Sequence, residues 1–235
     1  GVTCSKARQL AYVVGEGTGT EIWLALFNGT GMTQITNTSG RDEDPTWSPD
    51  GTEIAFTSER SADRQIYVMK SDGSGQTRIS NSAGADYRPA WSPDGRRIAF
   101  VSERDGNAEI YVMSSEGKNP VRLTSDLGVD SDPSWSPDGI RIAFRSERGG
   151  SGGDVSVLDL ASGALSKLTF DDRSWAPIWS RDGKSVTYLV ELESGGEEFR
   201  RRPVDGSQEA SLVARFPTGA GRARFLIVQG IGTYD

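Results

Sequence analysis

Pro45-Thr46-Trp47-Ser48-Pro49-Asp50-Gly51 is written four times in this chain. It returns as Pro89-Ala90-Trp91-Ser92-Pro93-Asp94-Gly95 and as Pro133-Ser134-Trp135-Ser136-Pro137-Asp138-Gly139. A worn copy is Pro177-Ile178-Trp179-Ser180-Arg181-Asp182-Gly183. The tryptophans stand at 47, 91, 135 and 179, a constant step of 44 residues. A fixed period of about 20 to 50 residues marks a repeat architecture, in which each unit buries its apolar face only against its neighbours.

Each unit reads as four short strands. Strand A is the Pro-x-Trp-Ser segment. Strand B is Ile54-Ala55-Phe56-Thr57 and its copies at 98–101, 142–145 and 186–189. Strand C is Ile66-Tyr67-Val68-Met69 and its copies at 110–113 and 155–158, and strand D is Arg78-Ile79-Ser80 with copies at 122–124 and 167–169. The runs are β-branched and aromatic, too short for helices, and bounded by Gly, Pro, Asp and Ser. In Ser48-Pro49-Asp50-Gly51 the proline presets the second turn position and the glycine takes a left-handed one, which predicts a tight A–B hairpin with a bulge. Strands B and C are apolar almost throughout, as expected of sheets covered on both faces.

The expected fold is therefore all-β: a β-propeller of four-stranded antiparallel blades, five by repeat count. A six-bladed propeller lacking a blade is the alternative. One domain spans 1–235, with repeats at 1–44, 45–88, 89–132, 133–176 and 177–220. The chain opens with a B-C-D set (Leu10–Val13, Glu21–Leu24, Gln34–Thr36) and ends with Arg222–Val228, read as a closing strand within 221–235 that completes a shared blade.

Composition narrows function. A net charge of −7 disfavours nucleic acid and anionic membrane as partners, and no apolar run reaches the roughly 20 residues of a membrane helix. The chain has no histidine, which removes the commonest general base and every His-dependent triad. Cys4 is the lone cysteine, so an internal disulfide is excluded and the compartment stays unread. Gly1-Val2-Thr3-Cys4 resembles a lipoprotein scar only weakly, because Thr3 is a poor residue before such a cysteine.

Pro-x-Trp-Ser-Pro-Asp-Gly followed by Ile-Ala-Phe, Glu-Ile-Tyr-Val-Met and Arg-Leu-Thr resembles the propeller repeat of the TolB family over roughly residues 6–214. That resemblance implies a periplasmic or otherwise extracytoplasmic module that binds protein, with an envelope lipoprotein as the partner class. The family's α/β domain has no counterpart in this sequence, and its propeller has six blades.

Connectivity locates a site without the family. A–B and C–D turns share one rim, and all are tight. B–C and D–A loops share the other, where Arg60, Arg104 and Arg148 and the carboxylates Asp42, Asp86 and Asp130 repeat in register. These six are the candidate binding residues: arginine forks can grip a partner's carboxylates. The competing expectation is that Asp and Arg pair between adjacent blades and tie loops together. No cofactor and no metal are expected. The best local candidate for Ca²⁺ is Asp105-Gly106-Asn107-Ala108-Glu109, which lacks the alternating ligands of an EF-hand loop. The leading expectation is a non-enzymatic module binding a protein or peptide. The propeller of a larger hydrolase or lyase, a glycan-acting enzyme with two carboxylates, and a scaffold pairing through sheet edges are the alternatives.

Overall fold

Strands form where the β-branched and aromatic runs predict them. The computed structural model describes residues 9–15, 19–149 and 152–216, and these hold strands and turns only. Blade 1 comprises β1 (Gln9–Val14), β2 (Glu21–Leu26) and β3 (Thr33–Gln34). Blade 2 is β4 (Asp42–Trp47), β5 (Glu53–Ser58), β6 (Gln65–Lys70) and β7 (Thr77–Arg78). Blade 3 is β8 (Asp86–Trp91), β9 (Arg97–Ser102), β10 (Glu109–Ser114) and β11 (Val121–Arg122). Blade 4 is β12 (Asp130–Trp135), β13 (Arg141–Ser146), β14 (Asp154–Asp159) and β15 (Leu165–Lys167). Blade 5 is β16 (Ser174–Trp179), β17 (Ser185–Glu191), β18 (Glu197–Pro203) and β19 (Ser211–Phe216). Each is an antiparallel meander in sequence order, so the molecule is a five-bladed propeller. The expected closing strand at 222–228 lies outside the described residues.

Two boundaries differ from the sequence reading. Strand A starts three residues before its proline, because Asp42, Asp86 and Asp130 each donate their N–H to the preceding blade, to the carbonyls of Thr20, Arg64 and Ala108 (2.8–2.9 Å). Strand D ends early. In blade 2 the N–H groups of Ile79 and Ser80 both converge on the carbonyl of Ile66, at 2.9 and 3.3 Å, so the ladder turns irregular there.

The A–B turn is as expected: Gly51 N–H donates to Ser48 O at 2.9 Å and Gly51 sits at φ 68°. Asp50 accepts from the Ser48 hydroxyl at 2.6 Å and the Thr52 N–H at 3.0 Å, which holds its carboxyl below the ordinary carboxylate value. Strand B is covered on both faces, with Ile54, Ala55 and Phe56 fully buried. Trp91 fills the space between blades, among Ala55, Ile66 and Val68 of blade 2 and Ile98 and Phe100 of its own.

Later junctions add a polar latch on the turn rim. Arg97 of blade 3 lies 4.6 Å over the Trp135 ring of blade 4 and donates to Gly139 O at 3.2 Å. Arg141 repeats this on Trp179 and Gly183. The indoles of Trp135 and Trp179 donate to the carbonyls of Ala90 and Ser134, each at 3.1 Å. Glu53 occupies the arginine's place in blade 2, and the indole N–H groups of Trp47 and Trp91 have no acceptor among the described residues.

Candidate functional site

The arginines and aspartates of the loop rim meet one another, within a blade and not between blades. Arg60 Nη2 donates to both oxygens of Asp42 (3.1 and 3.2 Å), and Arg104 Nη2 to both of Asp86 (3.2 Å each). Arg148 Nη2 reaches Asp130 Oδ2 at 2.5 Å. The physical reason is the start of strand A. Asp42, Asp86 and Asp130 are its first residues, opposite Ser58, Ser102 and Ser146, instead of standing in the D–A loop. Their side chains point inward with no exposure. Each arginine curls back from the B–C loop over an aromatic ring: Arg60 lies 4.6 Å from Tyr67, Arg104 4.8 Å from Tyr111, and Arg148 5.9 Å from Phe144. Arg60 and Arg104 also donate Nε to Ser58 and Ser102 at 2.7 and 2.8 Å. The carboxylates are closed to solvent, and the arginine side chains, 20–26% exposed, are what this set offers at the surface.

A second repeated set was overlooked in the sequence. In blades 1 to 4 the first residue of strand C is an acceptor, buried in blades 2 to 4 and half-buried in blade 1, and a hydroxyl two residues beyond strand D donates to it. Thr36 donates to Glu21 (2.6 Å), Ser80 to Gln65 (2.8 Å), Thr124 to Glu109 (2.6 Å) and Thr169 to Asp154 (2.9 Å). The same hydroxyls accept the N–H of Ile22, Ile66, Ile110 and Val155 at 2.8–2.9 Å. The signal was present in Glu-Ile-Tyr and Arg-Leu-Thr. In the candidate Ca²⁺ segment, this relay takes Glu109. Its Oε1 accepts from Arg122 at 2.9 Å and from the Asp126 N–H at 2.8 Å, while Asp105 Oδ2 accepts from the Tyr111 hydroxyl and from Arg122. Among the described residues no group of three or more Asp, Glu or Cys is disposed to hold a metal ion.

A third set lies nearest the ring axis. Strands A of consecutive blades pack on one another, which makes them the innermost. Each carries a bulge just before its proline, and the bulged residue has positive φ: Asp44 (52°), Arg88 (52°), Asp132 (56°) and Ala176 (48°). Non-glycine residues seldom adopt this conformation, and a bulge of this kind re-aims a side chain. Here it joins three blades: Arg88 Nη1 donates to Asp132 Oδ1 at 2.5 Å, and the Thr57 hydroxyl that accepts the Arg88 N–H at 3.0 Å donates to Asp44 Oδ2 at 3.0 Å. The sequence clue is variation, Asp-Arg-Asp-Ala, inside an otherwise constant motif.

Burial pushes the Asp132 carboxyl above its ordinary value; Arg88 opposes that and Asp44 adds to it. A raised folded-state pKa means that the ionised group costs stability at neutral pH, and that the cost is lifted as pH falls through the raised value. Asp132→Asn is therefore expected to unfold at higher urea concentration than the parent at neutral pH, the gap closing in acid. Urea titrations at several pH values measure it, and a gap that widens in acid contradicts the assignment.

The TolB beta propeller domain family profile matches residues 5–87 and 75–218. No curated protein matches the sequence. TolB from Acinetobacter baumannii is similar in structure at 24% identity, with TM-score 0.77 over 88% of this chain and 53% of that one. The putative TolB from Agrobacterium tumefaciens shares 24% identity, with TM-score 0.72 over 85% of this chain and 71% of that one. A puromycin-hydrolyzing peptidase of Mycobacterium tuberculosis shares 14%, with TM-score 0.64 over 90% of this chain and 36% of that one. The chain thus spans about half the length of the Acinetobacter protein. At these identities the likeness is one of fold.

Proposed function

Because the chain belongs to the TolB beta propeller domain family, we propose that it is a non-enzymatic module that binds a protein or peptide on the rim carrying the B–C and D–A loops. The observation that carries this reading is the Asp44–Arg88–Asp132 cluster just inside that rim. It keeps two carboxylates and one guanidinium near the axis, on a backbone conformation unfavourable for such residues, and strain of that kind gathers at functional sites. The Arg60–Asp42, Arg104–Asp86 and Arg148–Asp130 pairs hold the surrounding loops, and their guanidinium edges meet the partner. Under this reading the module works in the periplasm or elsewhere outside the cytoplasm, as the family resemblance implies, and an envelope lipoprotein is the partner class. No helix among the described residues is long and apolar enough to cross a membrane.

The test is affinity capture from envelope extract with three forms of the chain. The parent and Arg96→Glu, altered on the opposite rim, are expected to retain the same lipoprotein, and Asp44→Asn/Asp132→Asn to lose it. Equal capture by all three sinks the proposal. A second reading, the propeller part of a larger hydrolase or lyase, draws on the fold likeness to the peptidase above and to an oligogalacturonate lyase. A hydrolase domain encoded in the same reading frame would favour it.

A further inference from the structure

Blade 5 breaks the loop-rim pattern at every position at once. Where blades 2 to 4 have Asp, blade 5 has Ser174; where they have the paired Ser, it has Val190; where they have Arg, it has Leu192. The ring under the arginine in blades 2 and 3, Tyr67 and Tyr111, is replaced by Arg200, which pairs with Tyr188 as those tyrosines pair with Phe56 and Phe100. The side chain that fills the loop rim elsewhere is thus missing, and a cavity of about 480 Å³ opens between the D–A and B–C loops of this blade.

Its floor is charged in an unusual way. Glu198 takes the buried acceptor position of strand C, and its side chain is 3% exposed. Two arginines bind it in place of a hydroxyl: Arg200 donates Nε to Oε2 at 2.8 Å, and Arg215 donates Nε to Oε1 at 2.7 Å. Both guanidiniums also bring Nη2 to the same oxygens. That leaves the Nη1 of each without an acceptor among the described residues. One buried carboxylate against two guanidiniums, on side chains 37% and 64% exposed, gives this side of the cavity a charge of +1. The mouth is the reverse. Asp171, Glu191 and Glu193 stand there with Arg173, for a charge of −2. Arg173 is turned to Glu193 at 2.6 Å, and Asp171 accepts from the Ser174 hydroxyl at 2.7 Å.

We propose that this blade 5 cavity is a binding site for a zwitterionic peptide group, its carboxylate on the Nη1 donors of Arg200 and Arg215 and its cationic group against the acidic mouth. The paired arginine forks suit a carboxylate. A dianionic phosphate would meet the same floor but carry its second charge past three carboxylates, so a monovalent carboxylate beside a cation is the better match. The site is separate from the axial cluster, and small ligands alone test it.

The experiment is calorimetric titration of the full chain with Gly-Lys, Gly-Lys amide, N-acetyl-Gly-Lys and inorganic phosphate. Gly-Lys is expected to bind, the amide to lose about tenfold or more, the size of one charge-assisted hydrogen bond, and phosphate to bind no better than the amide. Acetylation, which leaves the lysine ammonium, is expected to cost less than amidation. Arg215→Gln weakens Gly-Lys by a similar factor. Ser174→Asp/Leu192→Arg rebuilds the plug of the other blades, and is expected to abolish binding while the melting temperature holds or rises. Equal binding of Gly-Lys and its amide, tighter binding of phosphate than of Gly-Lys, no heat with any probe, or undiminished binding by the replugged variant at unchanged melting temperature would each overturn the proposal.

Discussion

Arg104→Ala is expected to lower the unfolding free energy by about 3–5 kcal/mol, the range for breaking a buried ion pair by removing one partner. Asp86 has no exposure and keeps only the Ser102 hydroxyl, at 2.6 Å, once the guanidinium is gone. Its charge is then left inside the blade. Asp86→Ala should cost less, although it breaks the same pair. The orphaned Arg104 is already 21% exposed and can swing its head into water along the Tyr111 ring. The double variant should be more stable than the sum of the two losses predicts, because neither charge is stranded. Urea denaturation of the four proteins measures all three values. A loss for Asp86→Ala equal to or above that for Arg104→Ala contradicts the geometry. Retained partner binding by folded Arg104→Ala would confine the pair to holding its loop.

Glu109→Ala is the second large loss expected, about 2–6 kcal/mol, because the Thr124 hydroxyl and the Asp126 N–H are left unpaired at about 1–3 kcal/mol each, while Arg122, 30% exposed, can turn to water. The carboxylate is fully buried and accepts from Thr124, Arg122, the Asp126 N–H and the Asn107 amide. Truncation removes four hydrogen bonds, and the Thr124 hydroxyl that accepts the Ile110 N–H at 2.9 Å loses its orientation. The molecule supplies its own control. Blade 2 carries Gln65 at this position, accepting from Ser80 at 2.8 Å. Glu109→Gln keeps an acceptor for Thr124 but turns an amide NH2 toward Arg122 and the Asp126 N–H, and should cost about 1–3 kcal/mol, less than the Ala variant. Similar losses for the Ala and Gln variants would mean that the Arg122 charge pairing outweighs the relay.

The architecture was legible because tryptophan, Ser-Pro-Asp-Gly and the Ile-Ala-Phe strand recur at one spacing, and such recurrence needs no knowledge of contacts. The candidate site was legible only as a set of residue types. Asp42 and Arg60 stand eighteen positions apart, and nothing in that separation says whether they face one another or a neighbouring blade. Strand A begins earlier than its proline suggested, and that shift alone moved the aspartates from a loop into the core. The axial cluster was hidden for a different reason. A residue before proline is expected to be extended, so positive φ at Asp44, Arg88 and Asp132 had no sequence signature. The blade 5 cavity is the opposite case. Ser174, Val190 and Leu192 depart together from the pattern, and aligning the four copies by register exposes them.

The latches on the turn rim bear on how the ring comes apart. A chain of stacked blades holds together through nearest-neighbour interfaces, so its opening follows the weakest of them. Blades 3, 4 and 5 share Arg97–Trp135 and Arg141–Trp179, while blades 2 and 3 are tied on the loop rim by Arg64, which reaches Glu103 at 3.3 Å and lies 3.9 Å over Tyr87. The junction of blades 1 and 2 has no arginine tie of either kind among the described residues; there Thr20 donates to Glu43 at 3.3 Å and Gln76 Nε2 to Ile35 O at 3.0 Å. Amide protons of β9, β13 and β17 should then exchange as one cooperative unit near the global unfolding free energy, and those of β1 and β2 through a smaller, earlier opening. The polar latches, as much as the repeated tryptophan, would set which arc of the ring stays whole while its first blade breathes.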